Sequence, residues 1–191
     1  MNKIVIDSET TDLPKFPKKF GTYFPPEEID NYDKCRIVEL GWIVLDQENN
    51  ILEKKNYLIK DTNPEKYEGF SIHNITDEET CTGESIQSVL EYLIRDLNVC
   101  KEIIGHNISF DIHVIMSEMY RLGMDLDILK NMTQYCTMKN GIEIVGITNK
   151  YGLKLPKLEE LCKKLSVPPL TQHRAISDAQ RTFECYLKMR K

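Results

Sequence analysis

Two acids near the start of the chain, Asp7 and Glu9, have a spacing that could serve metal binding. Residues 3–9 are predicted to form a β-strand, and side chains two positions apart on a strand point to the same face. Two carboxylates would therefore lie side by side at the end of this strand, where their oxygens suit a divalent cation. An acid that closes a strand and caps a turn would give the same short pattern, so this pair alone does not decide its role.

A third and a fourth acid, Asp111 and Asp178, lie on predicted helix faces that are otherwise apolar or small. A buried carboxylate without a partner is costly, so each of these acids needs a cation or hydrogen-bond donors. For Asp111, backbone amides at the start of its helix are the alternative to a cation. The residues that share these faces are Val114, Ile115 and Leu122 for Asp111, and Ala175, Ala179, Thr182 and Tyr186 for Asp178.

His173 precedes Asp178 by five residues, which on one continuous helix would separate the two side chains by about 140° around the axis. The histidine is therefore predicted to lie on the loop that enters the helix, where it could reach a metal-bound water. A surface or capping role is the alternative for a single histidine. Four carboxylates without a sulfur ligand favour Mg²⁺ or Mn²⁺ over Zn²⁺.

The elements that must position these residues form a mixed sheet. The residues 47–50 between the second and third strands are turn-like, which predicts a hairpin. Three antiparallel strands followed by alternating strands and helices predict an α/β fold, a mixed five-stranded sheet flanked by helices. The predicted strands span 3–9, 36–46, 51–59, 102–107 and 134–138, and the predicted helices span 85–97, 109–123, 158–165 and 174–189.

Length and composition favour one domain without disulfides. The chain has 191 residues, enough for a sizeable core. Its six cysteines are scattered without a paired motif, so we expect reduced thiols in a cytoplasmic protein. No secretion signal or membrane span is visible, and no membrane contact is expected. The net charge of −5 disfavours contact with a polyanion, but two bound divalent cations would offset most of it at the site itself.

Residues 13–34 are predicted to form a long loop, because they carry four prolines and show no clear period. The loop follows the acids of the first strand directly, so it should overhang them. Lysines interleaved with aromatic residues suit stacking and phosphate attraction, which predicts a grip on single-stranded ends. A loop that only covers a sheet edge is the alternative. The residues concerned are Lys15, Lys18 and Lys19, with Phe16, Phe20, Tyr23 and Phe24.

Three segments in this order, IVIDSETTD, GHNISFD and HRAISDA, resemble the three motifs of DEDD-type 3′–5′ exonucleases. The histidine of the last segment resembles that of the DnaQ-like subclass, which includes the proofreading subunit of bacterial replicative polymerase and ribonuclease T. Residues 70–76 and the predicted second strand are also similar to the family. The resemblance covers nearly the whole chain outside the 13–34 loop, and it implies an RNase H-like fold.

The resemblance also implies the roles of the site residues. Asp7 would bridge two Mg²⁺ or Mn²⁺ ions, Glu9 and Asp178 would complete one metal site, and Asp111 would support the other. His173 would act as the general base in a two-cation hydrolysis that releases nucleoside 5′-monophosphates. By the same resemblance the substrate contacts would be Thr10, Thr11, Asn107, Phe110, His73 and Glu68. Core or turn roles are the alternative for Phe110 and His73.

The expected partner is a nucleic acid with a free 3′ end, single-stranded or frayed, and DNA is favoured over RNA. Three alternatives stay open at this point: an exoribonuclease of RNA processing, a non-catalytic nucleic-acid-binding or polymerase-associated subunit on the same fold, and an RNase H-like endonuclease or integrase. We expect one exonuclease domain over residues 1–191. The sequence does not predict the oligomeric state.

Overall fold

A computed structural model describes residues 1–19, 21–60, 73–170 and 173–190. The strands are β1 (Asn2–Thr10), β2 (Ile37–Leu45), β3 (Ile51–Leu58), β4 (Cys100–Gly105), β5 (Thr133–Cys136), β6 (Thr148–Asn149) and β7 (Gly152–Leu153). The helices are α1 (Asp77–Cys81), α2 (Ile86–Leu97), α3 (Ile108–Arg121), α4 (Asp127–Lys130), α5 (Thr137–Asn140), α6 (Ile142–Val145), α7 (Leu158–Leu165) and α8 (Ala175–Met189).

The main sheet has five strands in the order β3-β2-β1-β4-β5. The β1–β2 and β2–β3 pairs are antiparallel, whereas β4 pairs with β1 and β5 pairs with β4 in parallel. The predicted mixed five-stranded α/β fold and the predicted hairpin are therefore confirmed. The central strand β1 is covered on both faces, as its unbroken apolar run Ile4, Val5 and Ile6 requires.

Alternate residues of β1 face two different helical layers. Ile4 and Ile6 pack into the larger core with residues of α2 and α3, such as Leu93 and Ile112. Val5 packs on the opposite face against α8. Asp7 and Glu9 lie two and four residues after Val5, so their side chains are on the same face of β1 as Val5. They therefore point toward α8, as the alternation of side chains along a strand predicts.

Several elements are missing from the sequence-based prediction. The structure adds the short helices α1, α4, α5 and α6 and the small antiparallel pair of β6 and β7. Helices of four or five residues and strands of two residues are too short to produce a recognisable hydrophobic period. Their formation depends on contacts with the rest of the chain.

The six cysteines are free thiols, as predicted, although Cys162 and Cys185 approach each other with 3.6 Å between their sulfur atoms. This contact joins α7 to α8 within a small separate cluster of apolar side chains. In the part of the chain that the structure describes, no helix combines the length and the apolar character that crossing a bilayer would require.

Candidate active site

Asp7 and Glu9 lie near the end of β1, on the face that α8 covers. Across the β1–β2 pair, Asp7 is opposite Gly41 and Glu9 is opposite Glu39. No described residue donates a hydrogen bond to either carboxylate. Burial raises the pKa of Glu9 to about 8, with further contributions from the negative charges of Asp178 and Glu39. Burial, followed by the charge of Asp111, raises the pKa of Asp7 well above its ordinary value.

Asp111 reaches the same strand end from the other face of the sheet. Strand β4 pairs with β1 only as far as Val5 and Ile104, after which the chain leaves the sheet and enters α3. Beyond this point Asp111 takes the place of β4 as a hydrogen-bond partner of β1. The Ser8 amide donates to the Asp111 Oδ1 at 3.0 Å, and the Ser8 hydroxyl donates to the same oxygen at 2.7 Å. Burial raises the pKa of Asp111 to about 7, and the bonds from Ser8 oppose this shift.

Asp178 lies in the first turn of α8 and accepts two hydrogen bonds. The buried Arg181 side chain donates to Oδ1 at 3.0 Å, and the backbone amide of His173 donates to Oδ2 at 3.3 Å. Burial raises the pKa of Asp178, whereas Arg181 and the His173 amide counteract this effect. One buried arginine thus offsets part of the cost of burying this carboxylate next to other acids.

His173 precedes α8, which begins at Ala175, so its predicted place on the entering loop is confirmed. Its backbone φ of 56° is left-handed, a conformation in which histidine is enriched among non-glycine residues. One candidate ligand atom from each of Glu9, His173 and Asp178 lies within 4.8 Å of the other two. Asp7 and Asp111 are outside this group, and among the neighbouring charges that raise the pKa of Asp7, that of Asp111 contributes most.

A fully buried glutamate that the sequence-based interpretation did not identify, Glu39, holds the loop of His173. Its carboxylate accepts from the Arg174 Nη2 at 2.8 Å and from the Ala175 amide at 2.8 Å. The Asn56 side chain donates a further bond at 2.8 Å. A charged residue inside the apolar strand RIVELGWIVLD, together with the arginine beside His173, was the signal that could have pointed to this contact.

Gly41 allows α8 to come close to the acids. A Cβ atom on Gly41 would lie 2.6 Å from the backbone nitrogen of Ile176, a distance that backbone atoms do not tolerate. Because Gly41 is paired with Asp7, the missing side chain brings the first turn of α8, and with it Asp178, toward β1. A glycine in the middle of a strand is the sequence signal for such a close approach.

Of the predicted substrate contacts, Thr10 and Thr11 lie where β1 leads into the long loop. The Thr10 hydroxyl donates to the Asp12 carbonyl at 2.9 Å. Thr11 is 1% exposed; its hydroxyl donates to the Lys34 carbonyl and accepts from the Arg36 amide. The side chain of Thr11 therefore closes the base of the loop and is not open to a ligand.

Of the other predicted contacts, Asn107 and Phe110 lie at the start of α3, and His73 lies shortly before α1. Asn107 adopts a left-handed φ of 68° as the residue before α3, and Phe110 is partly buried against the larger core. His73 is 5% exposed; its Nδ1 accepts from the Ile75 amide at 3.0 Å, and its Nε2 has no partner among the described residues. Glu68 lies outside the described residues.

The residues present fit divalent cations. Carboxylates crowd at one strand end, no described residue donates a hydrogen bond to Asp7 or Glu9, and the nearby charge of Arg174 offsets only part of the burial of Glu9. A cation would supply the missing positive charge, and an oxygen-rich donor set is the kind that Mg²⁺ and Mn²⁺ accept. Asp7, Glu9, Asp111 and Asp178 would hold the cations, with the His173 imidazole beside Glu9 and Asp178.

Comparisons with known proteins agree with this geometry. E. coli exonuclease I in complex with a dT13 oligonucleotide superposes with a TM-score of 0.75 at 19% identity, over 98% of this chain and 40% of that chain. Exonuclease X in complex with 5′ overhanging duplex DNA superposes with a TM-score of 0.62 at 20% identity, over 98% of this chain and 90% of that chain. The chain thus spans less than half the length of exonuclease I.

A third similar structure is a complex of exonuclease I with SSB-Ct, with a TM-score of 0.72 at 18% identity, over 98% of this chain and 40% of that chain. At such identities the likeness concerns the fold. No curated protein gives a significant sequence match. The model of the RNase_T family, described as Exonuclease, matches residues 4–186, which include the acids of all three motifs. The chain therefore belongs to this exonuclease family.

Proposed function

We propose that residues 1–191 act as one domain that removes nucleotides from the 3′ end of a nucleic acid and releases nucleoside 5′-monophosphates. The observation that carries the proposal is the convergence of acids from three distant segments at the end of β1, next to the imidazole of His173. An RNase H-like binding domain without catalysis would not need this crowd of buried charges.

The acids Asp7, Glu9, Asp111 and Asp178 would hold two cations, Mg²⁺ or Mn²⁺. When bound, divalent cations at such a site stabilise negative charge on the phosphate and lower the pKa of an attacking water. His173 would accept the proton from that water. The loop before α8 serves this role, because Glu39 holds Arg174 and Ala175 on one side while Asp178 binds the His173 amide on the other.

We propose DNA as the substrate in preference to RNA. Similar structures contain exonuclease I with single-stranded dT13 and exonuclease X with 5′ overhanging duplex DNA, and both are DNA complexes. A strand with a free or frayed 3′ end would place its terminal phosphodiester at the acids. Discrimination against RNA would depend on contacts with the 2′-hydroxyl.

The test is digestion of 5′-labelled DNA and RNA strands of matched sequence, single- and double-stranded, with Mg²⁺ or Mn²⁺ and with EDTA. We expect a ladder that shortens from the 3′ end only when metal is present, and faster shortening for DNA. A strand with a blocked 3′ hydroxyl separates the alternatives: an endonuclease would still cut it internally. Internal fragments, or no product with any metal, would contradict the proposal.

A further inference from the structure

Part of the long loop forms a row of aromatic rings that ends next to Asp111. The Tyr23 ring stacks on the His113 ring of α3, with centroids 4.9 Å apart and an interplanar angle of 28°. Tyr23 also contacts Phe110, the residue before Asp111, at 6.4 Å between centroids. Phe16 packs on Tyr23 at 5.7 Å, and 53% of Phe16 remains exposed. The row therefore leads from the acids to an open ring on the surface.

The row is held in place from several directions. The Asn107 side chain donates to the Tyr23 hydroxyl at 3.3 Å, which links the row to the residue that precedes α3. The buried Tyr32 closes the loop internally, because its hydroxyl donates to the Phe24 carbonyl at 2.6 Å. The Lys15 amide donates to the Asn31 carbonyl at 2.8 Å. A ring fixed in this way loses little conformational entropy when a ligand stacks on it.

Two lysines follow Phe16 by two and three residues in the sequence. Lys18 and Lys19 are exposed, and neither forms an ion pair with another residue of the described part of the chain. In a protein with a net charge of −5, unpaired lysines next to an exposed aromatic ring are a local exception. An exposed ring flanked by cations is the combination that binds single-stranded nucleic acid, because the bases stack on the ring while the lysines attract the phosphates.

We propose that Phe16, supported by Tyr23, is the stacking platform for a nucleobase of the single strand just upstream of its 3′ end. This inference rests on the proposed exonuclease function, since it takes the acids as the position of the terminal phosphodiester. A base in a duplex has both faces occupied by its neighbours, so the platform selects unpaired strands. It would contribute affinity for the strand and not the chemistry of cleavage.

The experiment compares Phe16→Ala with the wild-type protein on single strands of about twelve nucleotides, a length in the range of known single-strand sites. KM should rise about ten-fold, the effect of losing one base–aromatic stack. Phe16→Trp should restore the wild-type KM, whereas Phe16→Leu, which keeps apolar volume without a ring, should not. Tyr120→Ala removes another exposed ring from the far end of α3 and is the matched control, with an unchanged KM expected.

Substrates with a single abasic position complete the test. Moving the abasic position along the strand should reveal one site near the 3′ end at which the wild-type KM rises and the Phe16→Ala KM does not. Two results would contradict the stacking role of Phe16 without affecting the exonuclease function. One is an unchanged KM for Phe16→Ala when the wild-type protein digests the strand, and the other is a wild-type KM for Phe16→Leu. If the wild-type protein digests no strand, the proposed function itself fails.

Discussion

Glu9 and Glu39 are directly paired residues on neighbouring strands, yet their surroundings differ in kind. The carboxylate of Glu39 is fully buried and accepts hydrogen bonds from Arg174, Ala175 and Asn56. Glu9 receives no hydrogen bond from any described residue, and burial with neighbouring acids raises its pKa to about 8. Among the described residues, Glu39 has a full set of hydrogen-bond donors, whereas Glu9 has none and only the nearby charge of Arg174 counteracts its burial.

A buried acid can either position other residues or bind a cation, and the two glutamates differ in this respect. An acid with a full set of protein donors is fixed and fixes its partners, so Glu39 acts as a positioning residue for the loop that carries His173. An acid without donors is costly unless something outside the chain pairs with it. Glu9 and Asp7 are in the second situation, which is what a cation site needs before the cation binds.

The largest expected effect comes from the acids without donors. Asp7→Asn should lower kcat on the order of 10⁴-fold, because it removes the negative charge of the residue proposed to bind both cations. The folded state should not suffer, since the substitution also removes repulsion from Asp111 and Glu9. The measurement is kcat from single-strand digestion, with the thermal midpoint as the check on folding. Retention of more than a tenth of the activity would show that Asp7 is not a metal ligand.

His173 should be the next most sensitive position. His173→Ala should lower kcat about 10³-fold, the range expected for loss of a general base. The pH–rate profile of the variant should also change shape, because the attacking water would then have to lose its proton without a general base. A profile that keeps the wild-type shape at a uniformly lower rate would assign His173 a structural role.

Glu39→Gln tests the positioning role of the glutamate whose carboxylate is fully hydrogen-bonded. We expect kcat to fall about ten-fold with little change in KM, because Arg174 loses its closest counter-charge and the loop of His173 loses its fixed position. The matched control is Glu118→Gln, since Glu118 is also a buried acid paired with arginines, Arg36 and Arg121. Both variants should be less stable, but only Glu39→Gln should lower kcat. Equal kcat losses in the two variants would mean that stability alone is responsible.

The smallest effect is a change of stability with pH. The pKa values of Glu9 and Asp111 in the folded protein, about 8 and about 7, lie above their ordinary values, so the folded state binds more protons than the unfolded state. Their contribution to stability is complete below about pH 4 and is lost as the pH rises through 7 and 8. Without divalent cations, the thermal midpoint should therefore fall on the order of 10 °C between pH 5 and pH 8.

Mg²⁺ should reverse most of that fall, because a cation favours the charged carboxylates that high pH produces. Thermal scans at matched ionic strength, with Mg²⁺ or with EDTA, measure both effects. Asp7→Asn should show a weaker response to Mg²⁺ than the wild-type protein. A midpoint that rises with pH in EDTA would contradict the assignment of Glu9 and Asp111 as uncompensated acids.

The features that depend on local periodicity could be predicted from the sequence alone. The period of two in β1 places Asp7 and Glu9 on one face, and the helical period places His173 outside α8. The order of strands and helices follows from hydrophobic patterns and turn residues, and it agrees with the observed sheet. These predictions succeed because each depends on residues only a few positions apart.

The contacts that hold the site together join residues far apart in the chain and are visible only in the folded protein. Glu39 and Arg174 are 135 positions apart, and Ser8 and Asp111 are 103 positions apart. The close approach of α8 to Gly41 likewise joins segments that no local pattern connects. A hydrogen bond between distant residues leaves no periodic trace in the sequence, because either partner could be satisfied elsewhere until the chain folds and burial removes water as the competing partner.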